Sequence, residues 1–153
     1  MKRRRIVAIV ASGVLATTAL GIQIGFSSVA KASQTGAQYL CVEGAIDECA
    51  YGASPVEIKP ENTNWYYPYQ GTGEIQQADT NRCMQVDHND GNIILEATCT
   101  GAAYQEWTIE SNGYQFQSRY NTADCLTYNQ NGQDLDIVAC GNYWYQVFEY
   151  PST

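Results

Sequence analysis

Cys41, Cys83 and Cys125 stand 42 residues apart, each from the next. A period near 40 residues is the signature of one supersecondary unit written several times, in which no copy can bury its apolar face alone and the copies must pack together. Trp65, Trp107 and Phe148 keep the same beat, 23 or 24 residues after those cysteines. Two independent markers on one period predict three copies of one motif.

The chain opens with Lys2, Arg3, Arg4 and Arg5, followed by an apolar run over residues 6–20 and the small-residue site Ala30-Lys31-Ala32. A basic start, an apolar stretch and an A-x-A site predict a secretory signal peptide over residues 1–32. The rival is a retained anchor, since Ile22, Ile24 and Phe26 prolong the apolar stretch. Gly21, Gln23 and Gly25 interrupt that extension, and a span needs roughly 18 apolar residues or more. Residues 33–153 then form one domain, with repeats over about 33–72, 73–112 and 113–153. The expected location is extracellular. This part keeps three cations (Lys59, Arg82 and Arg119) against all sixteen acidic residues, a formal net charge of −13. Such a surface repels phosphate backbones and anionic lipid, which argues against nucleic acid and, once the leader is cleaved, against membrane.

The second and third units superpose residue on residue. In unit two Cys83 is followed by Asp90-Gly91, Cys99 and Tyr104-Gln105-Glu106-Trp107; in unit three Cys125 is followed by Asn131-Gly132, Cys140 and Tyr145-Gln146-Val147-Phe148. Asp-Gly or Asn-Gly between two short apolar runs is a hairpin signal. A further hairpin around Asn112-Gly113 joins the units, with Trp107, Ile109, Tyr114 and Phe116 facing inward by period-two alternation. Leu135 and Ile137 alternate in the same way with Asp134 and Asp136. No helical periodicity follows the leader, so the expected class is all-β.

Six cysteines in an exported chain imply three disulfides. The repeat selects Cys83–Cys99 and Cys125–Cys140, each closing a loop of about 16 residues worth roughly 3 kcal/mol. The first unit is degenerate: no cysteine stands near Glu57, where its second is due, which leaves a short Cys41–Cys49 loop.

Gln105-Glu106-Trp107 and its variant Gln146-Val147-Phe148, each six residues after an in-unit cysteine, resemble the Q-x-W repeats of the ricin-type β-trefoil lectin family. The resemblance is good over residues 73–150 and weak over 38–65. It implies a β-trefoil of three repeats in which Trp107 and Phe148 are core residues and the disulfides are staples. It also implies a carbohydrate-binding role without catalysis. Sugar pockets in that family use an Asp two residues after the first cysteine, an aromatic two before the second, and Asn-Gln ahead of x-Trp. Carboxylate and amides hydrogen-bond the hydroxyls while the ring covers the apolar sugar face.

This chain departs from that pattern. Unit two has Gln85, Ala97 and Tyr104-Gln105 at those places, unit three has Thr127, Val138 and Tyr145-Gln146, and unit one offers Glu43 in a rebuilt loop. The candidate sugar-binding residues are therefore Gln85, Asp87, Asn89, Tyr104 and Gln105 in unit two, with His88 and Asp90 in the same hairpin. In unit three they are Thr127, Asn129, Tyr145 and Gln146, beside Tyr128, Asn131 and Tyr143. Unit two is the expected stronger site. Asn, Asp and Gly are also ordinary turn formers, and tyrosine is an ordinary strand residue.

An aromatic cluster at Trp65, Tyr66, Tyr67 and Tyr69 marks the first unit as core filling or as a contact patch. The alternative function is thus a trefoil that has lost its sugars and binds a protein there, as an inhibitor, toxin subunit or adhesion partner. Catalysis has little support. The single histidine, His88, sits in a turn away from any nucleophile, and Asp134 and Asp136 share an outer strand face. Counted from Asp87, glycine falls at position five and threonine at twelve, against six and glutamate in a calcium loop. No cofactor or metal is expected.

Overall fold

A computed structural model describes residues 36–44, 48–60, 63–89, 92–110, 115–132 and 134–149. The leader, the turn pairs Asp90-Gly91 and Asn112-Gly113, and Tyr114 lie outside the described residues. The strands of the first third are β1 Cys41–Val42, β2 Cys49–Tyr51, β3 Glu57–Lys59 and β4 Trp65–Tyr66. Next come β5 Thr72–Glu74, β6 Gln76–Gln77, β7 Arg82–Val86, β8 Ile94–Thr98 and β9 Glu106–Ile109. The last third supplies β10 Phe116–Ser118, β11 Asp124–Asn129, β12 Asp134–Ala139 and β13 Phe148–Glu149. Among the described residues the only helices are two 3-10 turns, Ala103–Gln105 and Trp144–Gln146, and none is long and apolar enough to cross a membrane.

Equivalent hairpins recur. β7 and β8 pair with Gln85 opposite Leu95, and β11 and β12 pair with Thr127 opposite Asp136. The hairpins meet through Val56 N–H to the Ile94 carbonyl at 2.8 Å and Leu135 N–H to the Val56 carbonyl at 3.0 Å. Antiparallel pairing of β1 with β13, Val42 opposite Phe148, brings the two ends of the domain together. The degenerate first unit therefore completes the ring. Three units so closed make a β-trefoil.

Period-two alternation sends one side chain in two to a common interior. Trp65, Trp107 and Phe148 are all fully buried there, together with Ile58, Ile75, Met84, Ile94, Phe116, Leu126 and Leu135. Phe116 lies edge-on to both Tyr67 and Phe148, at centroid distances of 5.8 and 6.1 Å, the arrangement that ring quadrupoles favour. The bridges are Cys41–Cys49, Cys83–Cys99 and Cys125–Cys140, each inside one unit.

The aromatic cluster of the first unit divides. Trp65 and Tyr67 are fully buried and Tyr69 is exposed, although Tyr67 and Tyr69 have the same strand parity. The regular strand β4 ends at Tyr66, so alternation no longer governs the residues after it. A contact patch built on Trp65 and Tyr67 is thereby ruled out, and of the cluster only Tyr69, exposed, and Tyr66, half-buried, remain available to a partner.

Candidate functional site

In unit three, Leu126, Tyr128, Leu135 and Ile137 turn to the core while Thr127, Asn129, Asp136 and Val138 share the other face of the β11–β12 hairpin. The 3-10 turn Trp144–Gln146 places Tyr145 beside that face. Between them lies a groove of about 350 Å³ lined by Thr127, Tyr128, Asn129, Gln130, Asn131, Asp136, Val138 and Tyr145.

The polar groups of the groove are already aimed. Asn129 donates from Nδ2 to Asp136 Oδ2 at 3.0 Å and accepts the Asn131 N–H on Oδ1 at 3.1 Å, which fixes both turn and carboxylate. Thr127 donates its hydroxyl to the Cys125 carbonyl at 2.8 Å. Among the described residues no lysine or arginine lines the groove. Lys59 pairs with Glu57, and Arg82 pairs with Glu96 at 3.0 Å.

Gln146 differs from the expectation of a sugar ligand. It is fully buried, its Oε1 accepts the Gly141 N–H at 2.8 Å, and its Nε2 serves Thr127 Oγ1, the Val138 carbonyl and the Ala139 carbonyl. Gln105 does the same work in unit two, accepting from the Thr100 N–H and hydroxyl and donating to Gln85 Oε1 and the Thr98 carbonyl. Each glutamine satisfies backbone groups that the strand leaves open where the chain turns away, an obligation for buried polar groups. Gln146 is not among the residues that line the unit-three groove. Thr127 lines the groove but is likewise nearly buried, its hydroxyl engaged by the Cys125 carbonyl and Gln146 Nε2.

Unit two is plainer than expected. Asp87 Oδ1 is occupied by the Asn89 N–H at 2.9 Å and by Asn89 Nδ2 at 3.2 Å, closing a local turn. Tyr104 rests 5.9 Å from the His88 ring. Where unit three presents Asp136 and Val138, unit two has Leu95 and Ala97, so one wall lacks a carboxylate. In unit one, Glu43 follows β1 in the shortened loop, part of which lies outside the described residues.

Sequence reasoning missed two contributors. Trp144 is about half exposed next to Tyr145, at a place where unit two has Ala103. Gln115 is buried and donates from Nε2 to the Gly141 carbonyl at 2.6 Å, anchoring the turn from the unit-linking hairpin. Glu74 comes near Cys83 and Cys99, but both sulfurs are consumed in their bridge and Glu74 accepts the Gly101 N–H, so that grouping offers no thiolate to a metal.

A ricin-type β-trefoil lectin domain model matches residues 34–148. The chain belongs to the ricin-type β-trefoil lectin family. Domains of this family are carbohydrate-binding modules. Among curated protein sequences none matches the chain. Solved structures share the ricin-type fold at low identity. A mosquitocidal holotoxin superposes with a TM-score of 0.60 at 20% identity, covering 82% of this chain and 18% of its own. GalNAc-T7, solved with UDP, GalNAc and Mn2+, gives 0.61 at 16% identity, covering 78% and 23%. An endo-β-galactosidase of Clostridium perfringens that releases GlcNAcα1-4Gal gives 0.59 at 14%, covering 74% and 32%. The chain therefore spans less than a third of each of these larger proteins. Against the ricin-type pattern, the unit-three groove is lined by the residues standing for its acid, its aromatic and its amide-side neighbour, namely Thr127, Val138 and Tyr145.

Tyr128 links this groove to unit one. Burial pushes its phenol above the ordinary value, and the hydrogen bond to Glu48 and that carboxylate's charge push it further the same way. The folded state thus favours the neutral phenol. Its contribution is complete below the ordinary pKa of about 10 and is lost as pH rises through the higher folded value. Thermal melts taken from neutral pH to beyond that value should show an alkaline fall that Tyr128→Phe lacks in part. An equal fall in both proteins would contradict the assignment.

Proposed function

We propose that this is an exported, non-catalytic glycan-binding protein whose working site is the unit-three groove, with residues 1–32 as its cleaved leader and 33–153 as its trefoil. The observation that carries the reading is the groove itself: aimed polar groups at Asn129 and Asp136, an apolar rim at Val138 and a tyrosine ring at Tyr145. Amides and a carboxylate suit sugar hydroxyls, and the ring suits a sugar's C–H face. The absence of cations along the lining, within a strongly acidic domain, favours neutral sugars over uronic acids or sulfated chains. Similarity in fold to domains within a GalNAc-bound transferase and a galactosidase supports the same direction.

All six cysteines are bonded, and His88 lies on an exposed turn of another unit, which supports binding without chemistry. Export is supported by the leader pattern and by three disulfides in a small domain. A shallow site of this type binds weakly alone and gains from polymeric ligands. The protein-binding alternative keeps only Tyr69 and the half-buried Tyr66 of its proposed contact cluster.

A glycan array probed with the mature protein tests this. Retention is expected, with Tyr145→Ala weakening it about tenfold, roughly 1.4 kcal/mol, and Tyr104→Ala leaving it unchanged. No retained glycan at high micromolar protein would reject the reading, as would loss with Tyr104→Ala alone.

A further inference from the structure

The groove does not end at Tyr145. Tyr143 stacks on the Tyr145 ring at 5.0 Å with an interplanar angle of 6°, and Trp144 meets the same ring edge-on at 5.8 Å. Both outer residues keep about half their surface exposed, 49% for Tyr143 and 47% for Trp144. Unit two carries Ala102 and Ala103 at the corresponding places, so the repeat does not require rings there for packing.

These rings are held ready. The Tyr143 carbonyl accepts the Gln146 N–H at 3.0 Å and the Trp144 carbonyl accepts the Val147 N–H at 3.1 Å, fixing both backbones in the 3-10 turn. Gly141 is held on both sides, by Gln146 Oε1 on its N–H and by Gln115 Nε2 on its carbonyl. The Tyr143 ring lies so close to Gly141 that a Cβ there would overlap it. Aromatic side chains with few rotatable bonds, already fixed, lose little entropy when a ligand covers them.

We propose that Tyr143 and Trp144 form a second subsite, taking the sugar next along the chain from the one in the groove. The ligand is then a run of at least two linked neutral pyranoses and not a single terminal sugar. This rests on the reading of the groove as a sugar site. A sugar fits better than a protein partner because the rings continue a small polar groove. Two half-exposed side chains also fall far short of the roughly 800 Å² per partner of a stable protein interface.

Calorimetric titration of the mature protein tests the proposal with two neutral series: galactose, galactobiose and galactotetraose, and N-acetylglucosamine, chitobiose and chitotetraose. In at least one series the tetramer should bind about tenfold tighter than the monomer. Trp144→Ala and Tyr143→Ala, substitutions of half-exposed side chains that also touch Tyr145, should each weaken the tetramer more than the monomer and so narrow the ratio of their Kd values. Equal affinity of monomer and tetramer, or a tetramer affinity untouched by both variants, overturns the second subsite alone. Failure of every member of both series to bind overturns the groove reading together with it.

Discussion

Trp65→Ala is expected to lower the unfolding free energy by about 3–5 kcal/mol, the range for deleting a buried large aromatic. The indole is fully buried, and its Nε1–H donates to the Ala50 carbonyl at 3.0 Å. Its backbone exchanges hydrogen bonds with Gln38 in both directions, at 2.7 and 3.0 Å, and its strand pairs Trp65 with Gln77. Truncation therefore opens a cavity and leaves a buried carbonyl unpartnered at the point where unit one joins unit two. A domain of this size has about 5–15 kcal/mol in all, so the loss removes a large share of it. Urea unfolding with the disulfides intact checks this, with Tyr69→Ala as the control expected to stay within about 0.5 kcal/mol. A Trp65→Ala protein as stable as the control would mean the first unit is not integrated into the trefoil.

Gln146→Met is expected to cost about 3 kcal/mol and to abolish glycan retention while the domain is still folded. Methionine matches the volume but satisfies nothing, stranding at least the Gly141 N–H and the Ala139 carbonyl at about 1–3 kcal/mol each. Gly141 carries the Tyr143–Tyr145 stack, so its release loosens the rings on which the groove depends. Gln105→Met removes the equivalent bonds to Thr100 and Thr98 in unit two and should destabilise by a similar amount, yet leave retention intact. Retention lost equally in both variants would show that stability alone, not the unit-three turn, governs binding.

The architecture was legible because the period fixes it. Cysteines and aromatics on one beat imply three stacked units, and alternation along β12 correctly sends Leu135 and Ile137 inward. The join between the ends was not legible, since β1 and β13 are two residues long and carry no pattern of their own. The glutamines of the Q-x-W motif read as ligands because sequence shows an amide but not the open backbone groups around it. Tyr128 reads as a surface tyrosine in a polar stretch, whereas its parity and its bond to Glu48 bury it. Trp144 escaped notice for the opposite reason. It sits in a 3-10 turn with no counterpart in unit two, where periodicity has nothing to say.

The proposed site lies in unit three, although the sequence pointed first to unit two. Asp87, His88 and Asn89 looked richer in polar groups, but Asp87 and Asn89 satisfy each other and the facing wall is Leu95 and Ala97. Asn129 and Asp136 instead sit on one face across the hairpin, with Tyr145 beside them. A short cross-strand distance brings Asn129 and Asp136 together, and it cannot be read from a linear count of polar residues.

An amide-resolved NMR titration with a retained glycan tests the account most directly. It should move the signals of Thr127, Asn129, Asn131, Val138 and Tyr145 and leave those of Asp87, Asn89 and Tyr104 in place. Movement confined to the unit-two residues, or to Tyr69 and its neighbours, would contradict it.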